Sequence, residues 1–110
     1  MPVAVRTKLQ AVTKDLGSQA RVARLLGVSP SRVSRWLRTE EPDQANRRKL
    51  EGVEFVLGRL LDLYERDVAV DWLQGFNAHL GYLRPIDLLA DGRIAEVLEA
   101  IQAEEAGSYA

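Results

Sequence analysis

Ser31, Arg32, Ser34, Arg35 and Arg38 carry the clearest chemistry in this chain. Hydroxyls and guanidiniums without an activating base nearby in the sequence suit recognition, not covalent catalysis. The guanidinium fork matches the paired acceptors on a guanine edge. Their spacing matters as much as their type. At 100° per residue, Val33, Trp36 and Leu37 turn inward on one helix, so Ser31, Arg35 and Arg38 turn outward and Arg32 and Ser34 lie on the flanks. Ser29 before Pro30 marks the start of that helix, as an N-cap followed by a residue with no donor to orphan. Gln19 opens the preceding helix, where its side chain and the free amides can hold a phosphate. Lys14, Arg21 and Arg24 add basic surface close by. Arg47, Arg48 and Lys49 begin a later helix against its dipole, which tilts their reading toward phosphate contact.

Other chemistries are poorly supplied. The chain has no cysteine, so disulfides and thiolate metal sites are excluded. A single histidine, His79, has no evident acid–base partner, and no nucleophile elbow, phosphate-binding glycine loop or metal-ligand pair occurs. The expectation is a binding protein with no catalytic residue, cofactor or metal. No apolar run approaches the roughly 20 residues that span a bilayer. The start of the chain lacks the apolar stretch of a signal peptide, which makes the cytoplasm the expected compartment.

The elements that must position these residues read as helices throughout. Val5, Leu9, Val12 and Leu16 share one face of a first helix that Gly17 ends, and Ser18 can cap the second. Val22, Leu25 and Leu26 lead to Gly27. After the third helix, a polar linker from Arg38 to Pro42 precedes a long helix opened by Asp43. Its stripe runs through Leu50, Val53, Leu57, Leu60, Leu61 and Tyr64, widened by Phe55 and Val56. Asp67 can cap a further helix holding Val68, Val70, Trp72 and Leu73. Gly75 and Gly81 bracket a short irregular piece. Pro85 starts a brief helix that Asp91-Gly92 terminates, and Ile94, Val97, Leu98 and Ile101 define the last. No alternating β-branched run appears, so the fold class is all-α.

The second and third helices form a constellation with a mechanism. Ala23 lies four residues before Gly27 and Val33 six after it. Where two helices cross, a small residue lets them approach, and glycine supplies the turn's positive φ. The stretch QARVARLLGVSPSRVSRWL resembles the Cro/C1-type, or Xre-type, repressor domains over about the first 60 residues. That resemblance implies a helix-turn-helix bundle over residues 1–64 with operator DNA as partner. The candidate DNA-binding residues are Gln19, Ser29, Ser31, Arg32, Ser34, Arg35 and Arg38.

The stretch WLQGFNAHLGYLRPIDLLADGRIAEVLEAI resembles the C-terminal domain of the Xre/MbcA/ParS antitoxins. Trp72-Leu73, Asn77, Leu80-Gly81, Pro85, Asp87-Leu88-Leu89, Gly92 and Val97 carry the match. The family often has proline before the asparagine and a second glycine after the first, where this chain has Phe76 and Tyr82. The resemblance implies a small helical toxin-binding domain over residues 65–110 and a cognate RES-domain toxin that degrades NAD or transfers its ADP-ribose. The candidate toxin-binding residues are Trp72, Asn77, Arg84, Asp87, Leu88, Arg93, Glu104, Glu105, Ser108 and Tyr109. Read from the residues alone, Trp72 and the leucines are core, the acids a solvated face, and the small polar tail a frayed end or a segment that orders in a partner's pocket.

Charge divides the same way. Residues 1–50 hold eleven basic and four acidic side chains, a net +7, and the remainder holds four basic and twelve acidic, a net −8. The near-neutral total therefore hides two surfaces that should attract different partners. The competing expectation is a dimeric Xre-type repressor with no toxin partner, in which Leu50, Leu57, Leu60 and Leu61 line a self-complementary face. A homodimer, and a hetero-oligomer with toxin, are the expected assemblies.

Overall fold

The computed structural model describes residues 2–107. Seven α-helices follow in order among them: α1 (Pro2–Leu16), α2 (Gln19–Leu26), α3 (Pro30–Arg38), α4 (Gln44–Leu63), α5 (Arg66–Gln74), α6 (Pro85–Ala90) and α7 (Ile94–Gly107), with a 3₁₀ turn, Ala78–Leu80, before α6. The all-α class expected from the periodicity is what the chain adopts.

The N-terminal helices start and stop where local chemistry dictates. The Ser18 hydroxyl accepts from the Arg21 amide at the head of α2, and Ser29 does the same for Arg32 at the head of α3. Gly27 takes a left-handed φ of 73°, and its neighbour Val28 donates to the Ala23 carbonyl. Ala23 is 1% exposed at the crossing, and Val33 and Trp36 are buried beneath it. These features make α2 and α3 a helix-turn-helix in geometry.

α4 is the axis of the molecule. At 1.5 Å per residue, its 20 residues span about 30 Å. α1, α6 and α7 all pack against it. Leu50, Val53, Val56, Leu57 and Leu60 are buried along it, and one continuous apolar cluster joins Val5 of α1 to Ile101 of α7. Each such leucine contributes about 1.5–3 kcal/mol by leaving water. Gly52 sits where α6 comes closest: a Cβ there would lie 2.7 Å from Leu89 Cδ2 and 3.0 Å from Leu89 Cβ.

Three expectations about the helices change. Phe55 does not widen the buried stripe, because it points to solvent at 61% exposure. Asp67 is not the cap of α5: Glu65 holds that position and Asp67 lies in the first turn, where its charge still favours the positive helix end. Leu50, Leu57 and Leu60 are at most 1% exposed and Leu61 is half-buried, so the core of the single chain takes three of the four leucines of the expected dimer face.

Candidate functional site

Two surfaces carry the residues singled out by the sequence. The first is the outer side of α3. Ser31 and Arg38 are exposed there, and Ser34, Arg32 and Arg35 are half-exposed. Arg38 has no side-chain partner among the described residues. Arg32 stacks its guanidinium 5.3 Å from the Trp36 ring centroid and reaches Asp43 Oδ1 at 3.4 Å. The Nε of Arg35 donates to Glu40 at 3.2 Å. The linker that follows α3 thus lays two carboxylates on two of its arginines. A third, Glu41, takes Arg47 at 3.4 Å. The Asn46 amide, donating at 2.6 Å, holds the Asp43 carboxyl below its usual range, with Arg32 adding to the effect. Ser29 is occupied as a cap and also bonds Ser31 at 3.1 Å, so its hydroxyl serves the helix start. Gln19 is exposed at the first position of α2, but the Ser18 cap already takes the Arg21 amide.

Part of the basic surface is spent internally. Arg21 pairs with Asp67 at 2.9 Å and Arg24 with Asp71 at 3.6 Å, joining α2 to α5. Gln74 reinforces that seam by donating to the Arg24 carbonyl at 2.8 Å. Lys49, read from the sequence as a phosphate contact, donates to the Leu26 carbonyl at 3.1 Å and closes the end of α2. The positive and negative parts of the chain therefore meet across this seam, and do not each face solvent whole.

The second surface is the C-terminal end. Trp72 is half-buried and donates from Nε1 to Glu104 at 3.4 Å, while the Tyr64 hydroxyl donates to the same carboxylate at 3.1 Å. Burial, and then Glu104 itself, raise the Tyr64 phenol above its ordinary value. Arg59 grips Glu105. Glu104 and Glu105, expected as partner contacts, thus fasten α7 to α4 and α5. Arg84 forks onto Asp87 at 2.9 and 3.0 Å, and Arg93 onto Glu96 at 2.8 and 2.7 Å. The Arg84 fork holds the Asp87 carboxyl down, and the Arg93 fork does the same for Glu96.

Two candidate toxin contacts prove to be interior. Leu88 is 2% exposed in the core, so its side chain offers no docking surface in this conformation. Asn77 is 8% exposed and organises the turn, its Oδ1 accepting from the His79 amide at 2.9 Å. Ser108 and Tyr109 lie outside the described residues.

The structure brings forward residues that periodicity missed: Phe76, Tyr82 and Leu83 are 78%, 71% and 47% exposed on the connection between α5 and α6. The signal in the sequence was large apolar residues flanking Gly75 and Gly81, where glycine interrupts the helical pattern. Tyr82 has a φ of 63°, the one non-glycine left-handed residue among the described residues. That region costs an L-residue roughly 1–2 kcal/mol.

The groove between α2 and the α4–α5 junction, lined by Arg21, Tyr64, Arg66 and Asp67, is open and mixed in charge. Among the described residues no group of three or more His, Cys, Asp or Glu side chains could hold a metal, and no helix is long and apolar enough to cross a membrane.

No protein-family model matches the chain. Curated relatives do. The mycobacterial cidal antitoxin MbcA of Mycobacterium bovis is 30% identical over 89 residues, which cover 80% of this chain and 79% of that protein. MbcA from two Mycobacterium tuberculosis strains matches to the same extent. Among solved structures, a chain of the M. tuberculosis MbcT–MbcA toxin–antitoxin complex superposes with a TM-score of 0.67 at 28% identity, covering 93% of this chain and 94% of that one.

Proposed function

Because the chain belongs to the MbcA antitoxin family, we propose that it is the antitoxin of a toxin–antitoxin pair that neutralises a cognate RES-domain toxin. In this reading residues 65–110 hold the toxin, and residues 1–64 bind operator DNA and regulate the pair's own operon. The observation that carries the toxin partner is the correspondence of 93% of the chain with a chain from a toxin–antitoxin complex. The protein acts by occupying surfaces, in the cytoplasm, and assembles as a homodimer within a hetero-oligomer. The test is to coexpress it with the product of the neighbouring gene. The pair should copurify, and NAD consumption by that product should stop on mixing. Failure of the purified proteins to associate would sink the proposal.

The DNA-binding half rests on a separate observation, the outward row of Ser31, Arg35 and Arg38 on a helix-turn-helix closed by Gly27. A mobility shift on the promoter fragment, with and without toxin, tests it. Binding should weaken steeply as salt rises, because displaced counterions return to the duplex. No shift at low salt would leave the helix-turn-helix as scaffold only.

A further inference from the structure

Phe76, Tyr82 and Leu83 stand out in solvent on the connection from Gly75 to Arg84, although that connection is firmly built. The Asn77 amide donates to the Leu83 carbonyl at 3.0 Å, and the Asn77 carbonyl accepts from Leu80 at 3.0 Å and Tyr82 at 2.8 Å. Leu80, 9% exposed, anchors the turn in the core. The aromatics are therefore presented on fixed backbone, which reduces the entropy lost when a partner covers them. The turn that carries them is costly. Gly81 and Tyr82 follow each other at φ 64° and 63°, and Leu83 donates back to the Leu80 carbonyl at 3.2 Å. Glycine enters that conformation freely, whereas tyrosine does so under strain. The side chain returns little to the fold, since Tyr82 is 71% exposed.

The surroundings define what would cover this patch. Phe76 borders a shallow hollow with Asp71, Trp72, His79 and Glu104. From residue 71 to the end there are seven acids against two arginines. Four of those acids are ion-paired, Asp87 and Glu96 by these two arginines and Asp71 and Glu105 by Arg24 and Arg59, which leaves Asp91, Glu99 and Glu104 as the uncompensated negative charge. An apolar tip in an acidic field fits an apolar hollow with a lysine- or arginine-rich rim.

We propose that Phe76 and Tyr82 form the specificity-determining contact with the toxin, inserting into an apolar hollow rimmed by basic side chains on it. This rests on the toxin-binding reading above and names the part of the C-terminal end that selects the partner. The experiment measures affinity for the toxin encoded beside it by isothermal titration, using the full chain and the Phe76→Ala/Tyr82→Gly double variant. The variant should melt no lower than the parent, because glycine relieves the backbone, yet bind about 30-fold or more weakly. Phe76→Ala alone, at a side chain 78% exposed, repeats the test without touching the backbone. Binding by the parent should also weaken as salt rises from 0.1 to 0.5 M. Variant affinity within threefold of the parent overturns the loop's role and leaves the toxin reading standing. If the parent itself fails to bind, the toxin reading falls, and this proposal with it. If the variants instead abolish self-association in light scattering and leave toxin affinity unchanged, the loop's occupant is a second copy and the proposal is overturned.

Discussion

Two glycines in α4 should respond to the same substitution with opposite signs. Gly52 and Gly58 both lie inside the helix, where glycine costs about 1 kcal/mol relative to alanine. At Gly58 a Cβ meets nothing within 4 Å, so Gly58→Ala should gain most of that amount. At Gly52 the new Cβ would sit 2.7, 3.0 and 3.1 Å from Cδ2, Cβ and Cγ of Leu89. A rotamer change can move Cδ2, but Leu89 Cβ moves only with the backbone of α6. The helix must shift outward, and overpacking of this kind costs about 1–3 kcal/mol. Net of the propensity gain, Gly52→Ala should destabilise by up to about 2 kcal/mol, leaving the two variants about 1–3 kcal/mol apart. At 4–8 °C per kcal/mol for a domain near this size, their melting temperatures should differ by roughly 5–20 °C. Thermal melts by circular dichroism, with urea titrations to confirm unchanged m-values, measure this directly. Should Gly52→Ala prove as stable as Gly58→Ala, the close approach of α4 and α6 would not explain the glycine. Under the toxin-binding proposal, Gly52→Ala should also weaken toxin binding, since α6 carries its N-cap Arg84 and the turn before it, while Gly58→Ala should not.

Under the DNA-binding proposal, Arg35→Ala should cost about 1–3 kcal/mol on the specific operator, read as a mobility shift. An unchanged affinity removes Arg35 from the recognition set. Glu40→Gln releases Arg35 and should tighten binding to random duplex several-fold at 50 mM salt; equal affinity would mean the carboxylate does not restrain it. Asp87 is depressed by the Arg84 fork, so its folded value lies below its unfolded one. The stability it confers is present above the unfolded value of about 3.9 and is lost as pH falls through the folded one. Asp87→Asn should therefore flatten the acid limb of a stability-versus-pH curve and leave its slope near neutrality unchanged; a variant with the parent's full acid slope refutes the assignment.

What was legible in the sequence acts within about four residues. Ser18, Gly27 and Ser29-Pro30 set helix ends through backbone groups adjacent in the chain, and each does in the structure what its type dictates. Ala23 and Val33 could be paired because a helix-turn-helix fixes their separation. Long-range partners left no such mark. Nothing near Gly52 announces Leu89, and nothing near Glu104 announces Tyr64 and Trp72, 40 and 32 residues away. Periodicity also misplaced Phe55, because a helix twenty residues long has more apolar positions than its neighbours can cover. Leu88, a toxin-contact candidate through the resemblance alone, is core as its residue type predicts, and its burial follows from α6 lying on α4.

The carboxylates on α3 are the feature that most changes the meaning of the charge count, and magnitudes decide what they do. Side chains of the Arg32–Asp43 and Arg35–Glu40 pairs are 41–55% exposed, and such pairs contribute about 0–1 kcal/mol each. A bidentate arginine–guanine contact is worth about 1–3 kcal/mol of discrimination, enough to displace the carboxylate. A single phosphate contact returns much less at moderate salt, and comes close to a simple exchange of partners. Glu40 and Asp43 thus subtract similar amounts from specific and nonspecific complexes, but only the specific one has surplus to spare. Under the DNA-binding proposal, the linker acids would lower the background on random DNA and leave Arg38, which has no side-chain partner among the described residues, as the arginine of α3 that engages phosphate without a prior break.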